Sequence, residues 1–357
     1  PDGGIAESAQ SVPRFVRRLY RFTIILASVY FYVSIPFVVL IVIVATAGGV
    51  LLILSLGLIP MQLLTIVVVF GLYTLIGIGR SIFVRLPAPD LGRRVAPEEA
   101  PALWAISREV ADHMGTRPAD IIAISPGAGV AVLEEGSMLQ KARGNGKRCL
   151  VVGMAAFDGL TQTQFKAILA HEYGHFLNRD TSGGRLALQV EASIERMAES
   201  LIHARQNYRL NPAWLFLNGF IRIFKRITQG ASRLQEALAD RAAALAYGGQ
   251  TCIDGLTQAI RQMERFYIHA QYSLDREAEL RLGLSNIYQE PTLPDALQTK
   301  ADGQIKEELE RATGPYDSHP APRERIRYLR QFSDVTYMNR NDTPALDLLL
   351  DPKALQI

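Results

Sequence analysis

Cysteine is scarce in this 357-residue chain, which contains only Cys149 and Cys252. Two thiols cannot form the disulfide framework that stabilises small secreted domains, so that class of protein is excluded. Neither cysteine belongs to a paired-histidine motif, which argues against a cysteine nucleophile. We therefore predict that both are core residues, in a chain suited to a reducing compartment.

A strong net charge is also absent, since the formal value is only +3. The positive excess lies before residue 87, where six arginines outnumber two acids. The rest of the chain is close to neutral. It gives no electrostatic reason to expect nucleic acid as a partner.

Charge of either sign is missing from Phe22 to Gly79, a run of 58 residues without Lys, Arg, Asp, Glu or His. A bilayer core about 30 Å thick needs about 20 apolar helical residues, so the run suits two spans. A secretory signal core of about 7–15 residues is too short to explain it. We expect the turn between Gly48 and Pro60. A buried hairpin in a soluble core is the alternative.

The arginines that precede and follow this run would lie on the same side of a membrane, and positive charge favours the cytoplasmic side. The predicted organisation is a basic segment (1–21), a transmembrane hairpin (22–85), a linker (86–97), a cytoplasmic domain (98–335) and a C-terminal tail (336–357).

The soluble part is predicted to be α+β, mostly helical, with a small sheet near its start. Short strands are indicated at 120–125, 129–134 and 149–153 by β-branched, apolar runs between turn residues. Helical patterns are predicted at 97–114, 161–178, 185–206, 213–228, 230–247, 255–285, 301–313 and 321–332.

The stretch "AHEYGH" (170–175) contains two histidines four residues apart on a predicted helix. Thr161 and Gln164 form a plausible capping box at the start of that helix. His171 and His175 then project from one face, one turn apart, and Glu172 lies close enough to polarise a water on the same metal. This H-E-x-x-H arrangement predicts two zinc ligands and a general base.

A catalytic zinc usually takes three protein ligands, so a third must lie elsewhere in the chain. Thr181 occupies the position of a metzincin-type third histidine, which excludes that class. Glu195 and Glu236 both remain possible on spacing. Glu236 is favoured because Asp240 follows one helical turn later, where its carboxylate can orient a ligand histidine.

Three blocks in order resemble the signature of the HtpX-type membrane zinc endopeptidases, whose eukaryotic kin are the type 1 CAAX prenyl proteases. The blocks are "AHEYGH" (170–175), "EALAD" (236–240) and "SHPAPRERI" (318–326). The resemblance covers roughly residues 95–332, and the amino-terminal hairpin also suits HtpX. It implies a zincin-like metallopeptidase domain preceded by a two-helix transmembrane hairpin.

The resemblance also implies roles for individual residues. One zinc ion per chain would be bound by His171, His175 and Glu236, with Glu172 as the general base. From the same blocks, His319 would stabilise the oxyanion formed at the scissile carbonyl. Asp240 would support a ligand histidine, and Arg325 would pair with the Asp240 carboxylate.

The chain departs from the family pattern in two places. Family members usually have an Asn-Ala pair where the substrate-lining strand begins, whereas the matching stretch here contains Gly127, Ala128 and Gly129. Backbone pairing with an extended peptide survives this change, but a side-chain contact to substrate is lost. HtpX also has further hydrophobic spans between the first two blocks, and 176–235 lacks them. The most apolar part, 211–227, is either a basic amphipathic helix at the membrane surface or a core-packing helix.

The predicted function is a membrane-anchored zinc endopeptidase that cleaves damaged or flexible membrane and cytoplasmic proteins in protein quality control. Its partners would be polypeptide substrates and the lipid bilayer, and its location the bacterial cytoplasmic (inner) membrane with the catalytic domain in the cytoplasm. Two alternatives remain open. One is a specific processing protease of a regulatory or lipidated membrane protein, and the other is a non-catalytic zinc-binding membrane scaffold.

Overall fold

The computed structural model describes residues 14–57, 61–82, 91–135, 146–177, 181–203, 205, 207, 211–280, 286–288, 293–314, 317, 319–332 and 342–352. Only the backbone is described at 14–21, 80–82, 181–189, 231 and 280. Most of the predicted basic segment, part of the predicted linker and much of the predicted tail lie outside these residues.

The described part of the chain is mostly helical, with one small sheet. Its helices are α1 (Arg14–Ser55), α2 (Met61–Ile82), α3 (Pro101–His113), α4 (Gln162–Leu177), α5 (Thr181–His203), α6 (Pro212–Tyr247), α7 (Gly249–Leu280), α8 (Asp295–Glu310) and α9 (Pro322–Leu329). Its strands are β1 (Arg93–Val95), β2 (Ile121–Ser125), β3 (Val130–Glu135) and β4 (Lys147–Gly153). Short 3-10 turns lie at Met154–Phe157, Arg330–Phe332 and Ala345–Leu348.

The chain forms two compact units, and the first comprises 12–88 and 180–231. Helices α1 and α2 are long and apolar enough to cross a membrane, over Phe22–Ser55 and Met61–Gly79. They share a core with α5 and the first part of α6, because apolar side chains recur at helical spacing on each facing surface. The 211–227 stretch contributes Ala213, Leu217, Phe220 and Phe224 to this core, as its core-packing interpretation predicts.

The second unit comprises 1–11, 89–179 and 232–357 and contains the sheet. The strand order is β1-β2-β4-β3, with β2 and β4 parallel and the two outer pairs antiparallel. Helices α3, α4 and the last part of α6 bury apolar side chains against one face of this sheet. The sheet and helices agree with the predicted α+β class. Strand β3 lies at the edge of the sheet.

Several element boundaries differ from the sequence predictions. The stretch predicted as linker contains β1, which pairs with β2. Helix α3 begins at Pro101 instead of 97, because Glu99 folds back to accept the Ala96 N–H at 2.8 Å. The two helices predicted at 213–228 and 230–247 form the single helix α6, which passes through Gly230 without a break. An isolated glycine costs a helix only about 1 kcal/mol, which tertiary packing overrides.

Candidate metal centre

Helix α4 carries both histidines of the "AHEYGH" stretch, and its start is fixed by the predicted capping box. Thr161 N–H donates to Gln164 Oε1 at 3.1 Å, and Gln164 N–H donates to Thr161 Oγ1 at 3.2 Å. This reciprocal pair satisfies two backbone donors at the helix start. The helix therefore begins at a defined residue, which sets the rotation of His171 and His175 about its axis.

The face of α4 opposite the histidines is anchored by Tyr173, which is fully buried. Its hydroxyl lies 2.9 Å from Ser107 Oγ on α3 and accepts the Ala119 N–H at 3.1 Å. A buried hydroxyl needs such partners, because an unpaired one would cost roughly 1–3 kcal/mol. The two contacts tie α4 to the segment that leads into the sheet.

Close approach of α4 to α6 depends on Gly174. A Cβ placed there would lie 3.0 Å from Ala239 Cα and 3.3 Å from Ala239 Cβ, too close for packed carbon atoms. A larger residue at 174 would push the two helices apart. Because Glu236 is on the same helix as Ala239, this contact brings the Glu236 carboxylate to the histidines.

The ligand atoms of His171, His175 and Glu236 all lie within 4.8 Å of one another. His171 Nε2 lies 3.4 Å from Glu236 Oε2, and His175 Nε2 lies 3.6 Å from Glu236 Oε1. The two imidazole rings are nearly perpendicular, at 86°. Among the described residues this is the group able to hold a metal ion, and Glu195, exposed on α5, is not part of it.

The donor set fits a zinc ion. Two imidazoles and one carboxylate are the ligands of several catalytic zinc sites, which leave a position open for water. Glu236 is only 3 % exposed, and its Oε2 lacks a hydrogen-bond donor of good geometry. A buried carboxylate oxygen without a donor is costly, and a cation would satisfy it.

Asp240 and Arg325 form a buried pair beside the ligand histidine. Arg325 donates from Nε to Asp240 Oδ2 at 2.9 Å and from Nη2 to Asp240 Oδ1 at 2.6 Å. Asp240 Oδ1 also lies 2.9 Å from His171 Nδ1. This contact directs the His171 Nε2 atom towards Glu236, as expected for a carboxylate that orients a metal-bound histidine.

His319 precedes α9 and reaches the same carboxylate. Its Nδ1 lies 2.8 Å from Glu236 Oε1, and its side chain is 64 % exposed. The structure therefore brings together all three sequence blocks. It places His319 at the solvent-exposed side of the cluster.

The edge strand β3 runs beside Glu172. The Val132 N–H donates to Glu172 Oε2 at 3.4 Å, from the side of β3 that faces away from β4. Gly127, Ala128 and Gly129 lie in the turn before β3, not within it. The carbonyls of Gly127 and Gly129 accept the N–H groups of Ala155 and Gly153. The open edge is therefore formed by β3 itself, and the three residues predicted at the start of the substrate-lining strand lie just before it.

Burial and the surrounding charges shift the pKa values of this cluster when no cation is bound. Burial and Arg325 act to lower the pKa of His171, but the Asp240 and Glu236 carboxylates outweigh them and raise it to about 9. Burial and His171 lower the pKa of His175 to about 4. Burial opposes ionisation of Glu236, yet the neighbouring His171 and His319 imidazoles hold its pKa well below the usual range. A metal ion would therefore compete with a proton for His171.

Glu172 differs from Glu236 in its environment, since burial raises the pKa of its carboxyl group. A carboxylate that is destabilised by burial is a better proton acceptor than an exposed one. Burial likewise raises the pKa of the Cys252 thiol to about 12, which agrees with the prediction that this cysteine is a core residue.

A helix with His-Glu-x-x-His, a glutamate from a second helix and an open strand edge together define the metal centre of a metallopeptidase. Residues 138–333 match the family model of Peptidase family M48. The chain belongs to this family, whose members are zinc metallopeptidases. No curated protein and no solved structure gives a significant match.

Proposed function

We propose that this chain is a membrane-anchored zinc endopeptidase of the HtpX type. The observation that carries the proposal is the convergence of His171, His175 and Glu236 beside Glu172 and the open edge of β3. The three ligand side chains would hold one zinc ion. When bound, zinc would lower the pKa of a water molecule towards about 7 and polarise a carbonyl group.

Glu172 would act as general base and then as general acid. It lies next to His171 on α4, with its carboxylate against the β3 edge. In this position it takes a proton from the attacking water and returns it to the leaving nitrogen. His319 would donate a hydrogen bond to the oxygen that becomes negatively charged at the scissile carbonyl.

The substrate would bind as an extended strand along β3. Gly129 pairs with Gly153 through the Gly153 N–H, so the alternate residues Val130 and Val132 direct their backbone groups to the open edge. An extended peptide adds to such an edge through main-chain hydrogen bonds. Unfolded or flexible segments can adopt this conformation, whereas folded domains cannot.

An apolar cavity of about 230 Å³ adjoins both the metal site and the start of β3. Gly129 and Val130 line it together with His171 and Glu172, whereas Val132, which contacts Glu172 from further along the strand, does not. A peptide antiparallel to β3 therefore places a residue from the carboxyl side of the scissile bond into this cavity. The apolar wall is formed mainly by Leu160, Ile168, Cys252, Leu256, Ile260 and Met263.

Purified chain in detergent should cleave unstructured peptides, preferring an apolar side chain just after the cut bond. A chelator should abolish cleavage, and added zinc should restore it, because the ligand set leaves no substitute for the ion. Mass spectrometry of a digested peptide mixture gives both the cut sites and the chelator dependence. Chelator-resistant cleavage would contradict the proposed zinc dependence, and cuts before charged residues would contradict the role of the cavity.

We further propose that α1 and α2 anchor the chain in the bacterial inner membrane, with the catalytic unit in the cytoplasm. Large apolar side chains on both helices are exposed, for example Leu51 at 66 % and Met61 at 67 %. Lipid would cover this surface, which is unfavourable in water. Damaged membrane proteins near that surface would then be the substrates, in protein quality control.

The orientation can be measured with a thiol reagent that does not cross membranes. In intact spheroplasts the Leu56→Cys variant, at the hairpin turn, should be labelled from outside. The Lys306→Cys variant, exposed on α8, should be labelled only after lysis. The native cysteines are both buried and provide a low background. The reverse labelling pattern would show that the proposed orientation is wrong.

A further inference from the structure

Arg233 lies one helical turn before Glu236 on α6 and reaches the loop that carries His319. Its Nη2 donates to the Gly314 carbonyl oxygen at 2.6 Å. The Asp317 carbonyl oxygen lies 3.4 Å from both Nη2 and Nε of the same guanidinium. The planar guanidinium thus contacts two backbone carbonyls of this loop. The compact ammonium group of a lysine could not reproduce this fixed arrangement of donors.

The same loop is fixed at two further points. The Asp317 carboxylate accepts the Gly314 N–H at 2.8 Å and pairs with Arg311. The Ala321 N–H donates to Thr313 Oγ1 at 2.7 Å, immediately before α9 begins. These contacts close the loop on itself, but they do not connect it to α6. Among the described residues, Arg233 on α6 donates the hydrogen bonds that reach the Gly314 and Asp317 carbonyls.

His319 needs such a support because packing does not hold it. Its side chain is 64 % exposed, and its contact with the cluster is the 2.8 Å approach of Nδ1 to Glu236 Oε1. Arg233 and Glu236 are three residues apart and so lie on neighbouring positions of one helix surface. The helix that supplies the third candidate ligand therefore also holds the loop of His319.

We propose that Arg233 is a positioning residue that sets the place of the His319 imidazole relative to the metal centre. The inference rests on the proposed role of His319 in stabilising the oxyanion. Displacement of a catalytic group by about 1 Å can cost about 100-fold in rate. Loss of the guanidinium should therefore act mainly on kcat, with metal ligation and substrate binding intact.

The Arg233→Met variant should lower kcat by about 10- to 100-fold, with KM and zinc content close to those of the wild type. The Arg233→Lys variant should recover part of the loss, since an ammonium can donate to one of the two carbonyls. Arg265→Met is the matched control, because Arg265 forms an exposed pair with Asp302 on α8. Loss of zinc from Arg233→Met, or an unchanged kcat, would overturn the proposal.

A double-mutant cycle tests whether Arg233 acts through His319. In a His319→Ala background, Arg233→Met should have little further effect on kcat, because the group that it positions is already absent. Additive losses would show that Arg233 acts by another route and would overturn the proposal.

Hydrogen exchange provides a readout that does not depend on catalysis. In the full-length chain in detergent, with and without chelator, Arg233→Met should speed amide exchange in peptides covering residues 311–321. Peptides from α4 should be unaffected. Unchanged exchange in the loop would overturn the proposal. This measurement can be made even if the wild type cleaves no substrate. Absence of cleavage by the wild type would refute the proposed function, not the role of Arg233 in fixing the loop.

Discussion

Replacing Glu172 by glutamine should lower kcat by about 10²- to 10⁴-fold while zinc stays bound. Glutamine keeps the shape of the side chain but cannot accept a proton from water. The candidate ligands His171 and His175 lie on either side and are unchanged, so metal affinity should be retained. Cleavage of an unfolded casein-like protein, with metal content measured on the same sample, gives both quantities.

The matched control for this experiment is Glu109→Gln. Glu109 is half-exposed and pairs with Lys166 at the surface, so its loss should change stability and activity little. Unchanged activity of Glu172→Gln at full zinc occupancy would refute Glu172 as the base. A parallel loss of zinc and activity would place Glu172 among the groups that hold the metal.

The Glu172 result also separates an enzyme from a scaffold. A zinc site that serves only structure has no use for a base, so a scaffold would show no cleavage in either form. A processing protease of one regulatory or lipidated protein would lose activity like a general endopeptidase. Comparing a prenylated peptide with a denatured membrane protein as substrates distinguishes these two enzymes.

The features of the fold that follow from local chemistry could be predicted from the sequence. The uncharged run from Phe22 to Gly79 indicated two apolar helices, and the Thr161–Gln164 pair indicated the start of α4. Strand β1 escaped prediction because it has three residues, too few for a periodic pattern. The continuity of α6 was also not predicted, because Gly230 favours a helix break locally. Tertiary packing keeps the helix continuous.

The site was predictable to the extent that its residues are spaced along one helix. His171 and His175 are one turn apart, which sequence spacing states directly. By contrast, Gly174 contacts Ala239, Val132 contacts Glu172, and Arg233 contacts the loop around Asp317. The two partners of each contact are distant in sequence. No spacing rule connects such pairs, because the fold alone brings them together.

Spacing alone also left Glu195 and Glu236 as alternative third ligands, and their variants should differ sharply. Glu236→Ala should release zinc and reduce peptidase activity to background, because it removes the carboxylate that lies between the two imidazoles. Glu195→Ala should leave both properties unchanged, because Glu195 is exposed and lies outside the metal-capable group. Metal analysis of the purified variants measures the difference.

Loss of zinc from Glu236→Ala must be separated from unfolding, since the change removes a buried carboxylate that both His319 Nδ1 and Arg325 Nη1 approach. Glu236→Gln keeps the side-chain volume and should still lose zinc, because an amide is a poor zinc ligand beside two imidazoles. Asp240→Asn should weaken zinc binding by only about 10- to 100-fold, because Asp240 acts through His171. Zinc loss should be greatest for Glu236→Gln, smaller for Asp240→Asn and absent for Glu195→Ala. This order distinguishes a metal ligand from a residue that orients a ligand. If Glu195→Ala lost zinc and Glu236→Gln kept it, Glu236 would not be the third ligand.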